Sequence, residues 1–371
     1  MNELYVYVHI PFCERRCIYC DFISIAGKSL EKEYFQSLIR DIESCNVLRN
    51  SEVKTVYFGG GTPSYVDERH IEKTLNIIAK TSKVFNPKEV TIELNPESTN
   101  KNKIGFYRSI GINRASLGVQ AIDDDVLKIS GRVHNAIQAK RIAFLLRETF
   151  DNLNLDFIIG LPKSSMRTMV ENLKLIERVN PDHVSVYMLE VHEKTPLFSL
   201  LKMGKISLPT EDEIAEMFDF MVDGLKDLGF ERYEISNFAK KGKRSLHNLS
   251  YWLNKDYIGF GASAGGHVGN YRCVKTPNIK EYIGNPSALS YEKHNTDCEE
   301  FKETLFMGLR LIEGLSIKNL EKRFSNLLEG FLRYISGDEL FSIEDGRVKL
   351  STMGLDFSSI AFERIVGWNC E

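Results

Sequence analysis

Three cysteines within eight residues, Cys13-Glu14-Arg15-Arg16-Cys17-Ile18-Tyr19-Cys20, constrain this chain more than any other stretch. They follow the strand-like run Leu4 to Ile10, which Pro11 ends. Their C-x3-C-x2-C spacing puts three soft thiolate donors in one turn, a donor set suited to an iron–sulfur cluster or to zinc. Three thiolates hold three corners of a cubic four-iron cluster and leave the fourth iron open to a ligand. A zinc site would need a fourth protein donor, for which His9 and Asp21 are at hand. Cys17 and Cys20 also have the C-x-x-C spacing of redox pairs. Zinc sites more often carry two paired-cysteine knuckles, and no second knuckle occurs in the chain.

The residues around and beyond the thiols narrow the choice. HIPFCERRCIYCDF is followed, in order, by GGGTPS at Gly59 to Ser64, IELNPES at Ile92 to Ser98 and GINRASLGVQ at Gly111 to Gln120. GRVH at Gly131 to His134, LDFIIGLP at Leu155 to Pro162 and FERYEISNFA at Phe230 to Ala239 complete the series. This ordered set resembles the radical S-adenosylmethionine (SAM) proteins, and within them the oxygen-independent coproporphyrinogen oxidase-like group. The resemblance implies a [4Fe-4S] cluster on Cys13, Cys17 and Cys20, with SAM at its open iron. It also implies SAM contacts from Tyr7, Tyr19, Gly60, Gly61, Thr62, Glu93, Gln120, Arg132 and Asp156.

Taken singly, these residues have ordinary readings too. A glycine triplet after a strand also serves tight-turn packing. Glu93 and Asp156 are carboxylates in apolar strand runs, where an unpaired charge is costly, so a buried Arg or Lys partner is the alternative to a SAM ammonium or ribose. Arg132 has the bidentate geometry that grips a carboxylate, although exposed arginines are commoner.

A second focus is His247-Asn248-Leu249-Ser250-Tyr251-Trp252. It is similar to the H-N-x-x-Y-W signature of the radical SAM haem chaperones (HemW-type proteins), which makes His247 a candidate haem ligand through its imidazole. His267, after a glycine-rich run, is a weaker candidate, and most single histidines are structural. The preceding loop Lys240-Lys241-Gly242-Lys243-Arg244 offers cations for haem propionates or is simply a solvated surface loop.

Strand-like and helix-like runs alternate from Leu4 to Leu189, six β/α units in the pattern of a parallel sheet. The expected fold is a partial (β/α)6 barrel with a small C-terminal α+β, winged-helix-like domain. Parallel sheets carry their sites at the C-terminal ends of the strands, and the candidate residues fall there. The expected divisions are a radical SAM core over 1–200, an extension with HNLSYW over 201–290, and a C-terminal unit over 291–371. Within the extension, the stretch around Pro277 and Pro286 reads as linker-like.

The net charge of −3, with no basic stripe in the C-terminal unit, gives no reason to expect nucleic acid as a partner. No run is apolar and long enough for a membrane span, and the start lacks the pattern of a signal peptide. Seven cysteines make a disulfide framework improbable, and the cluster loop asks for a reducing, cytoplasmic setting. Two functions compete: a haem chaperone that delivers haem to an acceptor protein, and a coproporphyrinogen III dehydrogenase that oxidatively decarboxylates propionate side chains. Both require an electron donor for the cluster. The dehydrogenase usually has another cysteine two residues beyond the third, where this chain has Phe22, and a long arm before the barrel, where Cys13 already stands here. Those differences, with HNLSYW, favour the chaperone; a zinc-stabilised binding module is the third reading.

Overall fold

The computed structural model describes residues 2–370. Six parallel strands run in sequence order across one sheet: β1 (Asn2–Ile10), β2 (Ser51–Gly60), β3 (Val84–Leu94), β4 (Arg114–Gln120), β5 (Leu153–Ile159) and β6 (His183–Met188). Helices Glu31–Ser44, Glu68–Thr81, Lys101–Ser109, Ala136–Thr149 and Met166–Val179 connect them. The expected six β/α units are therefore present.

The strand sequences sort their two faces by the two-residue alternation of extended chain. Leu117 and Val119, Leu155, Phe157 and Ile159, and Val184 and Val186 join the main hydrophobic core between sheet and helices. Their neighbours Ser116, Gly118 and Gln120, Asn154 and Asp156, and Ser185 and Tyr187 face a cavity inside the curved sheet. The usual greasy barrel interior is replaced by polar side chains, which is what a ligand site needs and a core does not.

Both edges of the six-stranded unit are extended by residues 231–294. On one side Tyr257–Phe260 adds parallel to β1, followed by the antiparallel strands Gly265–Val268, Tyr271–Lys275 and Leu289–His294. On the other, Asn237–Ala239 pairs antiparallel with β6 and with Glu231–Arg232. The result is an open twelve-stranded sheet. The linker-like reading around Pro277 and Pro286 is corrected here. That stretch holds strand Tyr271–Lys275, helix Ile279–Gly284 and strand Leu289–His294. Tyr282 is fully buried there and donates to Asp41 on the first helix, which also accepts from Lys275. On the opposite edge the chain turns back at Ile235 and Ser236 to form the Glu231–Arg232/Asn237–Ala239 hairpin.

HNLSYW forms the short helix Leu246–Trp252, which crosses beneath the barrel between the two extensions. The Glu89 carboxylate, near the start of β3's parallel pairing, holds its N-terminus by accepting from Ser245 Oγ and from the backbone N–H of Leu246 and His247. Free N–H groups and the helix dipole make this a natural carboxylate seat.

The C-terminal helices Asp297–Gly308, Ile317–Tyr334 and Ser358–Gly367 pack on a three-stranded sheet of Leu315–Ser316, Phe341–Glu344 and Arg347–Leu350. Phe324 breaks the helical conformation within the second of these, making two helices in succession. This unit has its own core around Phe301, Leu305, Phe331, Val348 and Trp368. Cys298 and Cys370 form a disulfide within it, a single bond that the cysteine count did not lead one to expect. Among the described residues no helix is long and apolar enough to cross a membrane.

Because Glu89 answers four donors in a buried setting, the three at the HNLSYW helix N-terminus and Thr91 Oγ1, Glu89→Ala is expected to destabilise the protein by roughly 2–4 kcal/mol. Thermal melting followed by circular dichroism checks this; an unshifted Tm contradicts the anchoring role.

Candidate functional site: a polar cavity beneath a cysteine loop

At the C-terminal ends of the strands a cavity of about 380 Å³ opens under the cysteine loop. Its size falls in the range of roughly 300–1,000 Å³ usual for small-molecule sites. Cys13, Cys17, Cys20 and Tyr19 form its roof, with Gly60, Gly61, Thr62, Glu93, Gln120, Arg132 and Asp156 around its wall. Three of the sequence candidates, Tyr7, His247 and His267, are elsewhere. Tyr7 lies outside the lining, hydrogen-bonded to His9 Nδ1 at 3.1 Å and stacked on Tyr57. His247 lies in the HNLSYW helix below.

The roof is positioned by backbone and side-chain bonds from three strands. Gly61 N–H donates to Ile10 O and Thr62 N–H to Phe12 O, each at 2.9 Å. A Cβ on Gly61 would stand 2.9 Å from both those carbonyls and 3.0 Å from Cys13 Sγ, so only glycine admits this approach. Thr62 Oγ1 donates to Cys13 Sγ (3.4 Å) and accepts from Asn95 Nδ2 (3.0 Å). Asn95 Oδ1 accepts from Arg132 Nη2 (2.8 Å), and Arg132 Nη1 donates to Cys17 Sγ (3.6 Å). A continuous chain of polar contacts thus links the first cysteine to the second through the ends of β2 and β3 and the turn that follows helix Asp124–Ile129, where Arg132 also donates to Gly118 O on β4. Arg15 fastens the same loop to that turn through Gly131 O and Arg132 O. Asn95 was not singled out from the sequence, although it stands inside the IELNPES run, one residue past the end of β3.

Burial pushes the Cys13 thiol up and Cys20 up to about 11. Such thiols are inert by themselves and become thiolates only when a metal takes up the charge. Among the described residues no three His, Cys, Asp or Glu side chains converge as ligands of a single ion. A four-iron cluster sets each thiolate on a separate iron, whereas zinc draws its donors to about 2.3 Å from one centre. His9, a candidate fourth zinc donor, has one ring nitrogen on Tyr7 and the other on Ile23 O. Asp21 faces His192 at 3.4 Å. The three-thiol set fits a cluster better than it fits zinc.

Below the roof the charges are arranged for a cationic guest. Glu93 accepts from Tyr57 OH (2.8 Å) and Gly60 N–H (3.1 Å), and Asp156 accepts from Ser116 Oγ (2.8 Å) and Asn154 Nδ2 (2.7 Å). Burial pushes Glu93 up to about 7, against the Tyr57 and Gly60 bonds and with help from the Asp156 charge. Burial raises Asp156 as well, despite its Ser and Asn donors. Among the described residues neither carboxylate makes a direct ion pair, although the buried Arg114 guanidinium partly offsets the rise of both; both face the cavity, and a sulfonium amino acid would supply further positive charge. Arg132 is a buried guanidinium held above its usual pKa, since Tyr19, Cys17 and Glu97 outweigh the cost of burial. Gln120 turns into the site with a positive φ of 65°, a conformation uncommon outside glycine. Arg114, also unremarked in the sequence, reaches the cavity floor from the start of β4 with only 1% exposure.

His247, the candidate haem ligand, is not presented to the cavity in this structure. It is 1% exposed; Nδ1 bonds Thr55 Oγ1 at 2.7 Å and Nε2 bonds Tyr251 OH at 2.9 Å. Its ring stacks on Tyr57, 5.0 Å between centroids. Burial lowers its pKa to about 3, with Arg114 adding to the effect, so it is neutral. HNLSYW plugs the barrel floor, and only Asn248 of the six reaches the cavity. His267 is also buried, with Nε2 3.3 Å from the Glu300 carboxylate.

The Glu93 environment has a pH signature. Its folded pKa of about 7 lies above its ordinary 4.5. Folding therefore takes up a proton between those values, and the native state loses stability as pH rises through that window. Wild type should fall relative to Glu93→Gln by up to roughly 3 kcal/mol between pH 4.5 and pH 8. Thermal melts across that range test it, and parallel profiles for the two proteins contradict it.

Residues 7–176 match the radical SAM superfamily. The chain is 34% identical over 342 residues to the haem chaperone HemW of Bacillus subtilis (strain 168), covering 90% of each. It is 36% identical over 339 residues to the haem chaperone HemW of Buchnera aphidicola subsp. Schizaphis graminum, covering 88% of each. Among solved structures, the radical SAM enzyme coproporphyrinogen III oxidase HemN of Escherichia coli superimposes with a TM-score of 0.83. That match covers 98% of this chain and 89% of the other at 21% identity, which speaks to the fold. With its three-cysteine roof, its parallel barrel and its end-to-end likeness to these relatives, the chain belongs to the HemW family of the radical SAM superfamily.

Proposed function

We propose that this protein is a haem chaperone: it binds haem and hands it to an acceptor protein. A [4Fe-4S] cluster on Cys13, Cys17 and Cys20 and a SAM molecule in the cavity beneath it complete the carrier. The observation that carries this reading is the 34% identity, over nine-tenths of both chains, to a relative described as a haem chaperone. The fold alone would not decide, because a coproporphyrinogen oxidase shares it.

Each part of the cavity has a role under this proposal. Glu93 takes the SAM ammonium, Arg132 and Gln120 take its carboxylate, and Asp156 takes the ribose hydroxyls. The backbone of Gly60 and Gly61 and the Thr62 hydroxyl let the cofactor lie close to the sheet, and Tyr19 covers it from the roof. Cys13, Cys17 and Cys20 would hold the cluster, which would supply one-electron redox chemistry and an iron able to bind the amino acid end of SAM. Thiolates that must stay free to hold an iron–sulfur cluster are in keeping with a reducing compartment such as the cytoplasm.

One preparation separates the two candidate functions. Anaerobic protein with its cluster restored, given reductant and SAM, is incubated with haem and, in parallel, with coproporphyrinogen III. The expected result is stoichiometric haem uptake and no decarboxylated product. Multiple turnovers of coproporphyrinogen III without haem uptake would overturn the proposal and establish the dehydrogenase.

A further inference from the structure

The cavity has two chemistries, and the second is not explained by SAM. Its interior is polar, but its mouth is rimmed by exposed apolar side chains: Phe22 at 63%, Met188 at 49% and Val133 at 39%. These come from three separate segments, the cysteine loop, the turn before helix Ala136–Thr149 and the end of β6, and all three line the one cavity. Large apolar groups left in water at the rim of a polar cleft mark a surface that something covers.

His192 stands on the same rim. Of the eight histidines it is the only one that lines the cavity. His9, His134, His183, His247 and His267 are buried, His70 is stacked on Phe35, and His294 is on the outermost extension strand. The His192 side chain is 44% exposed. Its Nε2 faces the carboxylates of Asp21 at 3.4 Å and Glu190 at 3.6 Å. Its other ring nitrogen has no hydrogen-bond partner among the described residues, and rotation of this exposed ring exchanges the two. A carboxylate behind one nitrogen and open space before the other is the arrangement that orients a metal-binding imidazole and strengthens it as a donor. Arg16, exposed on the neighbouring loop, makes only long bonds of 3.3 and 3.4 Å to Cys20 O and Phe22 O, so its guanidinium is available to an anion.

We infer that the mouth of the cavity is the haem seat, with His192 as an axial iron ligand, Phe22, Met188 and Val133 against the porphyrin faces and Arg16 toward a propionate. This rests on the haem-carrier reading above and adds to it the place and the ligand. A flat apolar macrocycle with a metal at its centre and carboxylates at its edge matches the rim group by group. A cavity of about 380 Å³ already assigned to SAM leaves the rim, rather than the interior, for a second guest. It also assigns the haem a position over the cluster loop, remote from the plugged floor where His247 lies.

Ferric haem titrated into the full-length protein, followed by the Soret band and by electron paramagnetic resonance, tests the assignment. His192 is on the surface, so His192→Ala should fold normally by circular dichroism. It should bind haem at least tenfold more weakly and lose the imidazole-ligated spectrum, and free imidazole should restore that spectrum. Phe22→Ser should weaken binding while leaving the ligation signature in place. If wild type binds haem and His192→Ala matches it in affinity and spectrum, the assignment of this ligand is wrong while the carrier reading stands. If wild type takes up no haem, the carrier reading itself fails and this inference with it.

Discussion

The whole site hangs on how two cysteine sulfurs are held apart in a roof made of loop. A loop by itself does not fix thiolates to the tolerance that a metal cluster demands. Here the Cys13 and Cys17 sulfurs are the two ends of a polar chain through Thr62, Asn95 and Arg132. Each link is anchored on or just after a different strand, so the stiffness of the parallel sheet is transferred to the loop. Buried hydrogen bonds of this kind contribute about 1 kcal/mol each, more where a guanidinium takes part. Their larger effect is geometric, since removing any one strands a buried polar partner.

The same sheet pays for its polar interior on its outer face. Leu117, Leu155, Phe157, Val184 and Val186 supply the apolar contact with the helices, while the alternate positions are free for Ser116, Asn154, Asp156 and Ser185. The charged groups inside are then separated by level. Glu89 is satisfied at the floor by the HNLSYW helix, and Glu93 and Asp156 are held higher by neutral donors, with Arg114 only partly offsetting the rise that burial imposes on them. That separation makes the floor structural and the upper cavity receptive.

Much of this was legible in the sequence because the barrel writes its own pattern. β-branched and aromatic runs ending in glycine or in a polar residue located β1 to β6, and the site residues fell at their C-terminal ends. What sequence could not convey was depth. HNLSYW reads as a ligand motif because it resembles the H-N-x-x-Y-W signature and its imidazole is a competent haem ligand, yet the fold turns His247 inward onto Thr55 and Tyr251. The strands Tyr271–Lys275 and Leu289–His294 were hidden because Pro277 and Pro286 lie between them and because the outer strand is exposed along its length. His192 was silent for the opposite reason: a single histidine in a charged loop carries no signal until Phe22 and Met188 are seen around it. The Cys298–Cys370 bond joins residues 72 positions apart, beyond the reach of any local pattern.

The central claim is that the three thiols leave one iron open for the amino acid end of SAM. Electron paramagnetic resonance of the reduced, anaerobic protein with and without SAM tests it most directly. The account predicts the signal of one [4Fe-4S] cluster whose g values shift when SAM is added. A cluster signal indifferent to SAM, or a spectroscopically silent metal with four protein donors, would contradict it.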